Sequence, residues 1–400
     1  MKVLCVICND KWMTNSFVTG WKSLGFDVDI FYYSPNLVRV DYSPAGWKMV
    51  AEMNRSLVQY AYESERRKNI DLIFCSILDD FISADTLLNL RKLKVPIVNY
   101  HCDMVALWFR SIKTASYFDL FCCAHQYGMD TLRRKGARVL YSPMAGNPFE
   151  QSEKLAKKND FFDGVTFLGA PIGYRPSILA HLYYNKVPLR IYGHNWDWCP
   201  REYDTNTAEI KYFKNAIFGI NDKVIHDLYY YAISNIFNSP FDFLRHQSQK
   251  VLARYVRKKF DVEEYYAHLP PSIILGPYDD KQFYGLVSGS SINVGFSHIS
   301  GKEGSKYERM QVRLRDFEIP IAGGFYIAQY SRELSELFIE GEHIVFWKNR
   351  NDLLEKVKFY LNNPNERSRI AETGKLYANE HHLWKHRFIK ILDKLSINGN

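Results

Sequence analysis

The sequence predicts an α/β protein with two Rossmann-like, doubly wound domains that face each other across a cleft. Three observations predict this fold class. The 400 residues exceed what one hydrophobic core usually serves. Apolar, strand-like runs alternate with amphipathic helical segments, as in parallel sheets covered by helices. The alternation also occurs twice, on either side of a polar segment.

The first series of strands defines a predicted N-terminal Rossmann-like domain, residues 1–145. Six apolar runs are separated by helical patterns: "KVLCVIC", "DVDIFYY", "DLIFCSI", "PIVNYHC", "LFCCAH" and "VLYSPM". A polar stretch follows and is predicted to be a linker, residues 146–163.

The second series defines a predicted C-terminal Rossmann-like domain, residues 164–380. Its predicted strands are "GVTFLGA", "PLRIYGH", "SIILGPY", "SINVGF", "FYIAQY" and "HIVFW". A helical insertion rich in aromatic and basic residues is predicted between the second and third of them, at about residues 199–268. "NDLLEKVKFYLNN" and the long "NERSRIAETGKLYANEHHLWKHRFIKILDKL" have helical periodicity. Residues 381–400 are expected to pack back towards the N-terminal domain.

The amino-acid composition indicates which class of protein this is, but it does not identify a binding partner. The formal charge of +8, with 16% aromatic residues, suits an anionic partner but is also ordinary for a soluble chain. No apolar run is long enough for a membrane span, and the first residues indicate a strand, so a cytoplasmic protein is expected. Peripheral membrane association stays open. The odd number of cysteines, seven, in mostly apolar runs predicts reduced core thiols.

Several familiar chemistries have no support in the sequence. "CNDKWMTNSF" after the first strand contains no glycine, and no G-x-G-x-x-G or P-loop occurs, which argues against dinucleotide enzymes and kinases. The acidic pairs Asp79–Asp80 and Asp279–Asp280 could bind Mg²⁺ but more often cap turns. His382 and His386 lack an evident third ligand. No metal and no cofactor are therefore expected.

The segment "FLGAPIGYRPSIL" indicates a strand, a glycine-containing loop and a helix. Gly169 and Tyr174 lie in this turn, and Arg175 falls in the first helical turn. Backbone amides and a guanidinium there could receive a phosphate. An ordinary turn with an exposed arginine is an equal alternative.

The segment "RDFEIPIAGGF" indicates a second site at the end of a helix. At 100° per residue two lines of side chains lie about a quarter turn apart on this helix. One line consists of Gln311, Arg315, Glu318 and Ala322. The other is apolar and consists of Met310, Leu314, Phe317 and Ile321. Pro320 weakens the last turn, and Gly323 and Gly324 permit the positive φ that ends a helix.

Residues 315–374 resemble the C-terminal domain of the CgeB-like glycosyltransferases, relatives of the spore maturation protein CgeB with the two-domain GT-B fold. The shared pattern is R-x-F-E-I-P-x-x-G-G-F, then E-L-x-x-L-F, then a strand and a helix near N-P-x-E-R. Weaker similarity includes "INVGFSH", "LRIYGH", "VTFLGAPIGYRPSIL", "GARVLYSPMAGNP" and "PIVNYHCD". It covers most of the chain except the insertion.

The resemblance implies transfer of a sugar from a nucleotide diphosphate, with a UDP-sugar as the expected donor. It also implies that residues 164–380 form the donor domain and residues 1–145 the acceptor domain. Glu318 matches the glutamate that accepts hydrogen bonds from the donor ribose, and Gly323 and Gly324 would let the backbone approach the nucleotide. Arg315 would contact the diphosphate or hold Glu318, although a purely structural ion pair is an alternative. Many retaining relatives carry a glutamate eight positions earlier. That position is Met310 here, with Glu308 two residues away, so the stereochemistry stays open.

The departing diphosphate requires positive groups, for which Arg175, Arg315 and the amides near Gly169 are the candidates. An inverting enzyme also needs a base. Asp103 is the first choice, followed by His101 and Asp10. His101 and Asp103 would share a face if their strand continued, and a structural role for His101 is equally open. His194 and His298 follow strands and are expected in the donor pocket.

The expected acceptor is a polysaccharide, a glycolipid or a protein-linked glycan. A sugar transferase that modifies nucleic acid is an alternative, because basic and aromatic residues alternate in the insertion. The same residues could meet an anionic lipid surface. A helix with one packed and one solvated face is the simpler interpretation of that segment. A catalytically idle binding protein with the same two domains is the third hypothesis.

Overall fold

The structure is a computed structural model that describes residues 1–34, 44–148, 161–196, 269–300, 304 and 308–396. The predicted helical insertion and residues 149–160 of the predicted linker lie outside the described residues. Two compact units are present, and each has its own sheet. The first unit comprises Met1–Pro148 and Tyr377–Asn400, and the second comprises Phe149–Leu376.

The first unit contains a six-stranded parallel sheet of order β2-β1-β3-β4-β5-β6. Its strands are β1 Lys2–Cys8, β2 Asp27–Tyr33, β3 Leu72–Cys75, β4 Ile97–His101, β5 Leu120–Cys123 and β6 Val139–Tyr141. All six coincide with predicted runs. Strands β1, β3, β4 and β5 are buried at every residue, which explains why they are almost continuously apolar in sequence.

Helices connect these strands. They are α1 Lys11–Met13, α2 Thr19–Lys22, α3 Pro44–Arg67, α4 Ala84–Arg91, α5 Met104–Leu107 and α6 Met129–Arg134. A π-helical turn, Thr14–Val18, joins α1 to α2. The predicted core thiols are confirmed for five cysteines, which are buried in the strands, whereas Cys102 is half-buried. Burial raises the pKa of Cys123 to about 12.

The second unit contains a five-stranded parallel sheet of order β13-β12-β9-β7-β8 and a small antiparallel pair, β10 and β11. The strands are β7 Phe162–Leu168, β8 Leu189–Tyr192, β9 Ser290–Gly295, β10 His298–Ser300, β11 Arg309–Met310, β12 Tyr326–Gln329 and β13 Val345–Trp347. The helices that follow are α7 Arg175–Tyr184, α8 Asp280–Ser288, α9 Arg315–Ile321, α10 Arg332–Ser335, α11 Arg350–Asn362 and α12 Pro364–His381.

One predicted strand of this unit is wrong. "SIILGPY" forms no strand, because Pro271–Ile273 is a 3₁₀ turn and Ile274 makes only an isolated bridge to Ile191. Prolines lack the amide donor that a sheet ladder needs, and Gly276 has a φ of 81°. The segment therefore runs beside β8 as a loop and leads into α8.

The order of this sheet positions the candidate site. Strands β7, β9 and β12 are adjacent and parallel, so the loops after them leave the sheet at the same edge. The core beneath consists of buried aromatic and aliphatic side chains, including Phe167, Phe296 and Trp347. The ring of Phe296 makes edge-to-face contacts with the other two.

The long helical pattern at the end of the chain forms two helices. Helix α12 ends at His381, and α13 spans Trp384–Leu395. Leu383 between them is extended, with φ −85° and ψ 155°, and bridges to Gly146. Helix α13 packs in the first unit, where the Phe388 ring stacks on Trp21 at 4.0 Å. No helix in the described part of the chain is both long and apolar enough to cross a membrane.

Candidate functional site

The loop between β7 and α7 is held closely against His298. Gly173 has a φ of 64°, and a Cβ added there would collide with Nε2 of His298. The ring of the next residue, Tyr174, lies 3.9 Å from the His298 ring, between centroids. Only glycine meets both demands at position 173, the left-handed backbone and the close approach.

A buried hydrogen-bond network fixes the same loop. The Tyr174 hydroxyl donates to Oε1 of Glu308 and accepts from Nε2 of Gln329. Gln329 ends β12, and its Oε1 accepts from the His298 amide at 3.1 Å. Oε2 of Glu308 accepts from the Gly304 amide at 2.7 Å. Nδ1 of His298 lies 3.6 Å from Oε1 of Glu308.

Sequence reasoning missed Glu308 and Gln329 as site residues. Glu308 stands ten positions before Glu318, which is two residues from the spacing found in related enzymes. Gln329 had one usable signal, since it is a polar residue that closes the apolar run "FYIAQY". Both side chains join the predicted residues Tyr174 and His298 at one place.

Arg175 is neither an exposed arginine nor a guanidinium that faces an open phosphate site, which were the two predicted environments. It is only 6% exposed, and its Nη1 donates to the carbonyl of Ala170 at 3.1 Å. Its guanidinium also lies within 6 Å of the Phe167 and Phe296 ring centroids. Burial, and secondly the charge of Arg313, lower the pKa of Arg175 to about 9, so it stays charged at neutral pH. Arg175 therefore stabilises the loop between β7 and α7 from the buried side, through its hydrogen bond to Ala170.

Gly169 uses its backbone groups within the fold. Its amide donates to the carbonyl of Tyr192 at 2.8 Å, and its carbonyl accepts from Nε1 of Trp196 at 2.8 Å. These bonds tie the end of β7 to β8. His194, which follows β8, is exposed.

Helix α9 presents Arg315 and Glu318 as an ion pair. Nη1 of Arg315 binds Oε2 of Glu318. Within the described residues, Oε1 of Glu318 accepts no hydrogen bond, and its side chain is 20% exposed. This contact agrees both with the prediction that Arg315 holds Glu318 and with the alternative of a purely structural ion pair.

Arg315 is itself held by two aromatic residues. Its Nη2 donates to the Tyr278 hydroxyl at 2.7 Å, and its guanidinium carbon lies 4.6 Å from the Phe283 ring centroid. Tyr278 precedes α8 and Phe283 belongs to it. No local sequence pattern predicts this contact, because Tyr278 is 37 residues from Arg315.

The apolar side of α9 conceals a second carboxylate, Asp316. It is 1% exposed, accepts from the Tyr326 hydroxyl at 2.5 Å and accepts from the Arg313 amide at 2.6 Å. Burial raises its pKa to about 6, although these hydrogen bonds and the charges of Arg313 and Arg175 oppose the rise. Asp316 anchors the start of the helix that carries Glu318.

The helix around Glu318 is shorter than the sequence predicts. Met310 belongs to β11 and α9 begins at Arg315, so Gln311 is not on the helical line of Arg315 and Glu318. Gly323, with φ 81°, ends the helix as predicted. A Cβ on Gly324 would lie 2.8 Å from Nδ2 of Asn293, so packing inside the unit already requires this glycine. Its approach to a nucleotide stays a prediction.

The three predicted bases lie in the first unit. His101 ends β4 and is 3% exposed; burial lowers its pKa to about 4, against the charge of Asp103. Among the described residues its Nε2 has no hydrogen-bond partner. Asp103 is exposed and follows the strand, so the predicted shared face is not formed. Asp10 is exposed and caps α1 by accepting from the Trp12 amide at 3.0 Å.

Three of the four carboxylates in the acidic pairs have structural partners. Asp79 accepts from the Lys113 and Thr114 amides, and Asp80 forms a buried ion pair with Arg110. Asp279 caps α8 and accepts from the Gln282 amide at 2.8 Å. No group of three metal-binding side chains occurs among the described residues.

Comparison with known proteins gives a family match for part of the chain. Residues 252–393 match the model of the glycosyl transferase-like family. This segment contains Glu308, Arg315 and Glu318. A search of curated protein sequences finds no match.

Solved structures with a similar fold cover nearly the whole chain. Sucrose-phosphate synthase from Thermosynechococcus elongatus has a TM-score of 0.54 and 10% identity, over 99% of this chain and 98% of that one. HepE of Anabaena, solved with UDP-glucose, has a TM-score of 0.52 and 12% identity, over 99% of both chains. A glycosyltransferase from Rickettsia africae has a TM-score of 0.52 and 11% identity, over 98% and 97%.

These similarities show the two-domain α/β fold of GT-B glycosyltransferases. Together with the family match, they indicate an enzyme of the glycosyltransferase class.

Proposed function

We propose that the protein transfers a sugar from a UDP-sugar, bound by its second unit, to a polysaccharide, glycolipid or glycan acceptor without a metal ion. The CgeB-like transferases are the group whose motif supports this proposal. The observation that carries it is the state of Glu318. One carboxylate oxygen is fixed by Arg315, the other has no hydrogen bond among the described residues, and the side chain as a whole is 20% exposed.

A carboxylate held in this way suits the ribose of a nucleotide. Ribose presents two neighbouring hydroxyl donors, and a carboxylate is a pure acceptor that forms strong charge-assisted hydrogen bonds with such groups. Arg315 balances the charge and restricts the rotation of the side chain, so the acceptor is oriented before the ligand arrives. HepE, which shares the fold, was solved with UDP and with UDP-glucose. That supports uracil as the base of the donor.

The second unit also offers positive potential for the departing diphosphate. The N-terminus of α7 follows the braced loop, and helix N-termini favour anions. Arg175 adds a buried charge behind the same loop without being exposed itself. In the transfer step, the bond between the sugar and the diphosphate breaks as the acceptor oxygen bonds to the sugar. These groups stabilise the negative charge left on the diphosphate.

An inverting reaction would pass the acceptor proton to a base of the first unit. Exposure favours Asp103 over His101, because His101 is buried and a base must reach the acceptor hydroxyl. The pH–rate profiles of Asp103→Asn and His101→Gln separate them. An unchanged rate and profile in Asp103→Asn would remove it from the mechanism.

The test of the proposed function is donor hydrolysis and transfer with a panel of UDP-, GDP- and dTDP-sugars, with and without EDTA. We expect turnover of a UDP-sugar that resists EDTA and falls by about 100-fold or more in Glu318→Gln, in which the ribose contact is weakened. Glu355→Gln, an exposed glutamate on α11, is the matched control. The proposal fails if no sugar nucleotide is turned over, or if Glu318→Gln is fully active.

Two rival functions have distinct outcomes in the same assay. A transferase that modifies nucleic acid would transfer the sugar to DNA, and its DNA binding would weaken as salt rises. An idle binding protein would bind UDP without any turnover. The basic insertion that suggested the first rival lies outside the described residues, so no structural observation favours it.

A further inference from the structure

Tyr278 and Phe283 contact the same Arg315 guanidinium that binds Glu318. The Tyr278 hydroxyl accepts from Nη2 of Arg315 at 2.7 Å, whereas Nη1 binds Glu318. The guanidinium lies 4.6 Å from the Phe283 ring centroid and 5.6 Å from that of Tyr278. A planar guanidinium fixed at both nitrogens and stacked on a ring loses its rotational freedom.

The segment that carries Tyr278 is anchored independently. The next residue, Asp279, forms a capping box with Gln282 at the start of α8. Phe283 in the first turn of α8 is 4% exposed, and its ring stacks with that of Tyr278 at 6.2 Å. The position of Arg315 is therefore set by a helix that contains neither Arg315 nor Glu318.

This arrangement determines which oxygen of Glu318 is available. A free glutamate side chain rotates and presents either oxygen to solvent, whereas here Oε2 is occupied by Arg315. Oε1 remains, and it has no hydrogen-bond partner among the described residues.

We infer that Tyr278 is a positioning residue which, through Arg315, holds Glu318 for a ribose diol and makes the site selective for ribonucleotides over 2′-deoxyribonucleotides. The inference rests on the proposed function, since it concerns the same donor site. A ligand that lacks the 2′-hydroxyl offers the oriented carboxylate one donor, the 3′-hydroxyl, instead of two, and a lost hydrogen bond to a charged group is what makes such a site discriminate. A freely rotating glutamate would discriminate less.

The experiment measures the affinity of the full-length chain for UDP and for 2′-deoxy-UDP by calorimetry. We expect wild type to prefer UDP by about tenfold, the worth of one charge-assisted hydrogen bond. In Tyr278→Phe the ring remains and only the hydroxyl is lost. The preference should fall to about threefold or less, mainly through weaker UDP binding.

Tyr192→Phe is the matched control. Its ring lies 6.4 Å from that of Tyr278, and its hydroxyl makes no hydrogen bond to a described residue. It should keep the wild-type preference. Arg315→Lys is the second variant, and it tests the same preference for UDP if Tyr278→Phe does not fold stably. It keeps the charge but loses the planar fork, and it should lower the preference to a similar extent.

The outcomes separate this inference from the proposed function. If wild type binds UDP but Tyr278→Phe and Arg315→Lys keep the tenfold preference, the inference is wrong and the donor proposal stands. Equal binding of UDP and 2′-deoxy-UDP by wild type also overturns the inference alone. If wild type binds no UDP, the UDP donor and the inference both fail.

Discussion

Asp316 is the residue whose ionisation should alter the stability of the second unit. Its pKa in the fold is about 6, against 3.8 for the ordinary carboxyl, chiefly because it is buried. Between these two values the folded chain holds the proton and the unfolded chain does not. The free energy of unfolding should therefore fall as pH rises from 4 to 6, and the loss should be complete above about pH 6.

Asp316→Asn removes this titration. We expect the stability of wild type relative to Asp316→Asn to decrease by up to about 3 kcal/mol between pH 4 and pH 7.5. Urea unfolding of both proteins across this range measures the difference. Only the change of the difference with pH matters, because asparagine also alters the bond to the Arg313 amide. A difference that is constant with pH would contradict the raised pKa.

Residues close in sequence were the part of the site that the sequence could predict. Arg315 and Glu318 are three apart on a helix, so their side chains are neighbours whatever the tertiary structure. Tyr174 and Glu308 are 134 residues apart, and they meet only because β7, β9 and β12 are adjacent in the sheet. Hydropathy predicts strands but does not encode their order. This is why the network escaped prediction.

The loop between β7 and α7 is the element on which the donor proposal places the phosphates. Gly173→Ala should destabilise it for two reasons, a left-handed backbone and a collision with His298. Gly341 provides a control in which only the left-handed backbone opposes a side chain. Its φ is 73°, and no atom lies within 4 Å of the position of its missing Cβ.

We expect Gly341→Ala to cost about 1 kcal/mol of unfolding free energy and Gly173→Ala about 1–3 kcal/mol more. Denaturant unfolding of the two variants measures the difference. UDP affinity should fall in Gly173→Ala and stay unchanged in Gly341→Ala. Equal stabilities would mean that His298 moves aside at little cost, and that it does not hold the loop.

The sequence predicts a strand correctly where the strand is buried on both faces, because burial alone then determines its apolar pattern. The strands of the first sheet are buried on both faces, so their apolar runs are unmistakable. "SIILGPY" is equally apolar, but Pro271 and Pro277, which flank and interrupt it, have no backbone N–H to donate to the hydrogen bonds of a sheet. The break at Leu383 was also missed. An extended residue between two helical patterns leaves the apolar period almost undisturbed.

At the scale of the whole molecule, the chain builds two separate hydrophobic cores and returns to the first unit at its end. Helix α13 packs in the first unit, where Phe388 is fully buried against Trp21 and Phe74. A Cβ on Gly20 would lie 2.7 Å from the Phe388 ring, so this contact is tight. The core of the second unit consists of its own residues.

Phe388→Ala should therefore destabilise the first unit selectively. Removing a fully buried phenylalanine costs about 3–5 kcal/mol, and a unit of this size should lose about 10 °C in its unfolding midpoint. Calorimetry should show two transitions, of which Phe388→Ala lowers one and UDP raises the other, since a ligand stabilises only the fold that binds it. Phe359→Ala is the control, because that ring is 53% exposed. If Phe388→Ala lowers both transitions equally, the two units unfold as one cooperative body. If UDP instead raises the transition that Phe388→Ala lowers, the nucleotide binds the first unit and its assignment to the second unit is wrong.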